Sequence, residues 1–245
     1  MIEAKELTKI FSDKKRGRVV AVDRVSFTCS PGAVYGLLGP NGAGKTTTLR
    51  MLSTALRPSS GTALINGLDV IREPQKVRSL IGFLSGNTGL YGRLSVRELL
   101  VYFARLYGMP ETAIETRIQK IFDTLDMNDF AGVRNEKLST GMKQKVSIAR
   151  SVVHDPPTMV FDEPTTGLDV MSSRTIVQFI RQCRDEGKTV IFSTHIMSEA
   201  MRLCDRVGII HKGKLYAEGT VDQLLEQTGT DNLENAFIKL VEGES

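Results

Sequence analysis

Apolar positions along this chain fall into two patterns. Residues 33–38, 159–161, 190–192 and 207–210 are apolar at nearly every position, as expected of strands buried on both faces. Residues 19–28 alternate in part and read as a strand that stops at Ser30-Pro31-Gly32. Residues 62–65, closed by Asn66-Gly67, and residues 80–84 read as two more strands. The middle of the chain has a different period. Ser95 and Glu98 have capping-box spacing, and Leu99, Val101, Tyr102, Phe103 and Leu106 follow as the apolar face of a helix. A second helix starts at Pro110 and carries Ile114, Ile118, Ile121, Phe122 and Leu125 at helical spacing. Residues 95–154 thus read as helical nearly throughout, with a further helix over about 143–153, and residues 220–244 read as two short helices. Strands alternating with helices predict an α/β fold with a mainly parallel sheet. The expected organisation is a single domain over 1–245. Its core lies at about 1–85 and 156–219, an inserted helical subdomain at about 86–155, and a short helical tail at about 220–245.

The chain has 245 residues, enough to bury a sizeable core. No apolar run approaches the roughly 18 residues of a membrane span. The start, Met1-Ile2-Glu3, lacks a basic-then-apolar leader. The expectation is a soluble, unprocessed, cytoplasmic chain. Cys29, Cys183 and Cys204 have no metal-ligand spacing and are read as small buried or half-buried hydrophobes in a reducing compartment. The net charge of +4 is mild. The basic cluster Lys14, Lys15, Arg16 and Arg18 is short, has no interleaved aromatics, and is read as a solvated hairpin tip. No nucleic-acid partner is expected.

The chemistry is concentrated after the strand at 33–38. Gly39, Pro40, Asn41, Gly42, Ala43, Gly44, Lys45 and Thr46 form the pattern G-x-x-x-x-G-K-T, with Thr47 next. Glycines let the backbone curl around phosphate oxygens, where a Cβ would clash. The loop's N–H groups and the start of a helix over about 46–55 would face an anion. Lys45 is expected to reach the β- and γ-phosphates of a nucleoside triphosphate, and the Thr46 hydroxyl to ligate Mg²⁺. The strand at 159–161 ends in Asp162 and Glu163. Side chains alternate on a strand, so the two carboxylates leave in different directions and can take two jobs. Asp162 would hold Mg²⁺ through its water shell, and Glu163 would orient or deprotonate an attacking water. Ser139 and Gly141 lie at a helix start and offer a second anion site. Taken alone, that is an ordinary N-cap.

Together these segments resemble the ATP-binding subunit of ATP-binding-cassette (ABC) transporters, over nearly the whole chain. Residues 39–46 look like that family's Walker A loop and 159–163 like Walker B. Residues 138–142 look like its signature segment, with Thr140 and Met142 departing from the usual Leu-Ser-Gly-Gly-Gln. Gly167-Leu168-Asp169 look like the D-loop, His195 like the switch histidine, and Phe11 lies where an aromatic stacks on adenine. His154 and His211 have no such context and are read as structural. The resemblance implies a P-loop (RecA-like) core with an N-terminal antiparallel β part. It also implies a head-to-tail pair of subunits, two copies or paralogues, with each ATP held between the Walker A loop of one and the signature segment of the other. Ser139, Gly141 and Asp169 would then help bind nucleotide, and His195 would act with Glu163 and Lys45 in hydrolysis.

One departure stands out. Relatives carry a glutamine after the strand at 81–84 that touches Mg²⁺ and couples the site to the membrane partner, and here Gly86 occupies that position. Asn87, with a side-chain carbonyl, is the expected substitute at the metal. The stretch from Gly86 to Ser95 is similar to a subgroup associated with bacterial sodium efflux, which works with a separate membrane permease. The leading expectation is an ATPase motor on the inner face of the membrane that drives export, with sodium as one cargo. An exporter of drugs, lipids or other small molecules is the alternative. A soluble ABC ATPase acting on DNA or ribosomes is the alternative of another class. Such relatives generally carry two cassettes or a long coiled coil, and this chain has neither.

Overall fold

A computed structural model describes residues 1–13, 17–86 and 89–242. Asn87 and the cluster residues Lys14, Lys15 and Arg16 lie outside the described residues. Two sheets organise the molecule. In the first, β1 (Ile2–Asp13) pairs antiparallel with β2 (Gly17–Cys29) and β4 (Ser60–Ile65), and β4 pairs with the short β5 (Leu68–Asp69). The second contains β3 (Val34–Leu38), β6 (Ile81–Leu84), β7 (Thr158–Asp162), β8 (Thr189–Thr194), β9 (Arg206–His211) and β10 (Lys214–Gly219). Its order is β10-β9-β3-β8-β7-β6, and all neighbours are parallel except the β9–β10 pair at one edge.

Every residue of β3, β7 and β8 is buried, because both faces of the parallel sheet are covered. Side chains alternate between two cores. Met159, Phe161, Val190 and Phe192 face one core, together with Leu99 and Leu100 of α3 (Val96–Leu106), Ile118 and Phe122 of α4 (Glu111–Leu125), Val146 of α5 (Thr140–Val152) and Ile176 of α6 (Val170–Asp185). Val160, Ile191, Tyr35 and Leu37 face the other, with Leu49 and Leu52 of α1 (Lys45–Leu52) and with Leu7, Val25 and Ile65 of the antiparallel sheet. A short α2 (Pro74–Ser79) precedes β6. Beyond β8, α7 (Met197–Leu203), α8 (Val221–Thr228) and α9 (Leu233–Glu242) close a third, smaller core around Leu38, Val207 and Ile209.

Several boundaries depart from the sequence expectation. α1 stops at Leu52, not near 55, because Ser53 ends it and Thr54 takes φ 62°. α5 begins at Thr140 with Ser139 as its N-cap, three residues earlier than expected. The stretch before it, 126–139, holds only two 3₁₀ turns, so 95–154 is less continuously helical than its composition suggests. The capping box at Ser95 and Glu98 is present. Among the described residues, no helix is long and apolar enough to cross a membrane.

Candidate functional site

The parallel register sets the site. Leu38 pairs with Thr194, Asp162 with Ser193, and Leu84 with Phe161. The residues just beyond these positions (Gly39, Glu163, His195 and Ser85) therefore emerge in one row at the C-terminal edge of the sheet, where open α/β sheets bind ligands. The loop at 39–44 leaves β3 there and turns into α1. Gly39 has no room for a side chain, since a Cβ would stand 2.1 Å from the Ile210 carbonyl. Gly44 sits at φ 110° as the N-cap of α1, with no side-chain cap. The first N–H groups of a helix have no partner inside it, so this uncapped end suits an anion. Thr47 lies in the first turn of α1, and Asn41, Gly42, Gly44, Lys45, Thr46, Thr47 and Glu163 border a mouth of about 140 Å³.

Lys45 is buried. Its ammonium donates to the carbonyls of Gly39 (2.7 Å) and Pro40 (3.1 Å) and lies 3.3 Å from Glu163 Oε1. His195 Nδ1 lies 3.3 Å from the same oxygen, and Thr166 Oγ1 donates to Oε2 at 3.1 Å. Partial burial works against the Glu163 charge. Lys45 and the hydrogen bonds from His195 and Lys45 outweigh it and hold the carboxyl below its ordinary range. Glu163 therefore stays ionised and acceptor-only at neutral pH, the state a water-orienting group needs. Thr46 Oγ1 donates to Asp162 Oδ1 at 3.0 Å. These hard oxygens stand side by side, a set that suits a small divalent cation completed by water and phosphate oxygens. Among the described residues no cluster of three or more His, Cys, Asp or Glu could hold a metal without such completion. Asp162, Glu163, Thr46, Asn41, Arg50 and Gly86 line an adjoining recess of about 360 Å³.

The turn of Glu163 away from Asp162 has a cause other than strand alternation. Asp162 is the last residue of β7, and Glu163 lies just beyond it at φ 48°. A non-glycine residue there is strained by about 1–3 kcal/mol and persists only when its surroundings fix it. Ser193 supplies part of that fixation. Its buried hydroxyl donates to Asp162 Oδ1 (2.7 Å) and accepts from Glu163 N (3.0 Å). Ser193 and Thr166 escaped the sequence reading. The one available signal was a polar Ser-Thr pair ending an otherwise apolar run.

Other expected residues lie elsewhere. Phe11 pairs with Val19 on the β1–β2 ribbon, 41% exposed, with the Lys9 ammonium 5.3 Å from its ring centroid. It is a surface aromatic, not part of the core. Ser139 is exposed and accepts from Met142 N as the cap of α5. Gly141 lies against the start of α6, where Asp169 caps its helix by accepting from the N–H and hydroxyl of Ser172 (2.9 and 2.7 Å). The structure thus brings Lys45, Thr46, Asp162, Glu163 and His195 together. Ser139, Gly141 and Asp169 lie at the facing starts of α5 and α6, where Asp169 is occupied with its own helix.

Comparison with known proteins agrees with this geometry. Residues 22–166 match the family model described as ABC transporter. The chain is 44% identical to the ABC transporter ATP-binding protein NatA of Bacillus subtilis, over 99% of both chains. It is 38% identical to the Nod factor export ATP-binding protein I of Burkholderia lata, over 95% of this chain and 75% of that one. A dimeric bacterial ABC transporter cassette of known structure superposes with a TM-score of 0.81 at 26% identity, covering 90% of this chain and 98% of the other. On the family match and the near full-length relative, this chain belongs to the ABC transporter family, as its ATP-binding and ATP-hydrolysing subunit.

Proposed function

We propose that this chain binds ATP at the loop from Gly39 to Thr47, with Phe11 beside the base, and hydrolyses it as one member of a head-to-tail pair that drives a membrane exporter. The observation that carries the site assignment is the convergence of Lys45 and His195 on one oxygen of Glu163, each at 3.3 Å, beside the Thr46–Asp162 pair. Lys45 neutralises phosphate charge once it leaves the carbonyls it now holds. Thr46 and Asp162 would hold Mg²⁺, which supplies charge neutralisation at the β- and γ-phosphates when bound. Glu163, ionised, aligns and deprotonates the attacking water. His195 holds the other side of that water or the γ-phosphate.

Ser139 and Gly141 are given to the nucleotide of the neighbouring subunit. The exposure of Ser139 and the dimeric state of the cassette named above support this. α3, α4 and α5 act as the helical subdomain and, with the surface near Leu90 and Leu94, receive the permease. The chain would lie on the inner face of the membrane, and the pair is read as a homodimer because each motif is present once. Sodium is the proposed cargo, resting on the similarity of residues 86–95 to the sodium-efflux subgroup.

The test is Glu163→Gln. It is expected to bring ATPase turnover to background while leaving ATP binding intact, so that ATP shifts the protein from monomer to a persistent dimer in size-exclusion chromatography. Wild-type turnover in that variant would remove Glu163 from the role.

A further inference from the structure

Glu199 stands at the third position of α7, where an acidic side chain ordinarily turns back to cap its own helix. Here both oxygens leave the helix. Oε1 accepts from Thr165 Oγ1 at 2.5 Å and Oε2 from Thr194 Oγ1 at 3.0 Å. Both threonines are buried. Thr165 lies two residues after Glu163, and Thr194 immediately precedes His195. Thr194 Oγ1 also accepts from Ile196 N at 2.9 Å, so the turn from β8 into α7 belongs to the same network.

We propose that Glu199 is a positioning residue for hydrolysis: it locks the loop that carries Glu163 to the loop that carries His195. This rests on the reading that those two residues serve ATP hydrolysis, and Glu199 acts through them without touching the nucleotide. The chemistry explains why a carboxylate is there. Two hydroxyls from two loops converge on one group, and an ionised carboxylate, acceptor-only with two oxygens, receives both protons without either hydroxyl turning away. Such charge-assisted bonds are short and strong. Ser193 pins Glu163 from the β7 side through its N–H, and Glu199 pins the chain just after it. Between these two points Glu163 keeps its left-handed backbone, and His195 keeps its place beside Oε1. An amide at position 199 would serve one threonine as before. Towards the other it would present a donor, or the reverse.

The experiment uses the full chain, with steady-state ATPase kinetics, fluorescent ATP-analogue binding and melting temperature measured on each variant. Glu199→Ala is expected to lower kcat by about ten- to a hundredfold, the scale of a misplaced catalytic group, with KM for ATP within about twofold of wild type. Glu199→Gln should fall between the two. Thr165→Val removes the hydroxyl at constant shape and should lower kcat in the same way. Thr165→Ser keeps the hydroxyl and should restore it. A merely structural role would lower melting temperature and folded yield, leave kcat per nucleotide-binding molecule unchanged, and overturn the proposal. So would kcat within about twofold of wild type in both Glu199→Ala and Thr165→Val. If Glu199→Ala does not fold, the Thr165 pair decides by the same criterion. Glu163→Gln is the reference. If it is inactive while the Glu199 and Thr165 variants run at wild-type rate, only the positioning role fails; if it turns over normally, the site reading itself fails.

Discussion

His154 is a partly buried imidazole at the end of α5, stacked on Tyr107 with ring centroids 3.7 Å apart and planes 9° from parallel. Burial pushes it down from 6.5 to about 4. The unfolded chain takes up this proton near pH 6.5, and the folded chain refuses it until about pH 4. Between those values the unfolded state binds more protons, so stability rises with pH. The native advantage is intact above pH 6.5, erodes as pH falls, and levels off near pH 4. His154→Phe keeps a stacked ring with nothing to titrate. It should therefore gain on wild type by about 1–3 kcal/mol between pH 8 and pH 4.5. Urea unfolding at the two pH values measures it, and an equal wild-type-to-variant gap at both would refute it. The sequence read His154 as structural, and burial beside Tyr107 accords with that. Beyond the polar pair that ends β8, nothing in the sequence pointed to the roles of Ser193 or Glu199, because a single polar residue has no period and becomes informative only when a partner over thirty residues away is placed against it, as Asp162 and Thr165 are here.

The junction of α5 and α6 depends on an absent side chain. A Cβ on Gly141 would stand 2.5 Å from Ser172 Oγ and 3.2 Å from Ser172 Cβ, and that hydroxyl is committed to Asp169. Gly141→Ala must therefore displace the hydroxyl from its bond or push the two helix starts apart, an overpacking cost of about 1–3 kcal/mol. Its melting temperature should fall by a few degrees and its ATPase activity with it, since the Ser139 cap moves too. Adding Ser172→Ala removes the nearest atom and should recover part of the melting temperature. No recovery would mean that the contact is not the cause. The reach of sequence patterns follows from the same physics. β3, β7, β8 and β9 were legible because sheets covered on both faces require unbroken apolar runs, and α4 because one buried stripe repeats at helical spacing. α3 was found where expected, but its buried stripe is Val96, Leu99, Leu100 and Ala104, while Tyr102 and Leu106 of the expected apolar face are exposed. β5, two residues long, and β10, a largely half-buried edge strand, have no such signature. The expected bound of α5 near 143 fell three residues late, although Ser139 was read as a cap, because Thr140-Gly141 has weak helix propensity that the cap and packing on α6 override. The loop between β3 and α1 falls where its glycines placed it, since Gly39 and Gly44 are dictated by close backbone contact, not by burial.

At the scale of the molecule, the two clusters make a sharp prediction about number. On the proposed reading, Lys45, Asp162, Glu163 and His195 form one half of a site, and Ser139 with Gly141 the other. If the second half serves a neighbour, two-fold symmetry makes the arrangement reciprocal: each subunit gives its signature cluster and receives its partner's. Lys45→Ala should abolish activity by destroying the phosphate half. Ser139→Arg should do the same by placing bulk and charge on the exposed cap of the other half. Mixed in equal amounts, the two inactive proteins form heterodimers in which one site has both defects and the other has neither. Random pairing makes half the dimers mixed, with one sound site of two, so activity should return to about a quarter of wild type for a symmetric pair with independent sites. It will be less if each site assists the other, but above either variant alone as long as a single sound site turns over. A site completed within a single chain contains one defect or the other in every molecule, and mixing would restore nothing. ATPase activity of the mixture, measured against protein concentration, separates the cases. The recovered activity should also rise with concentration as dimers form, whereas an intramolecular site gives a flat background.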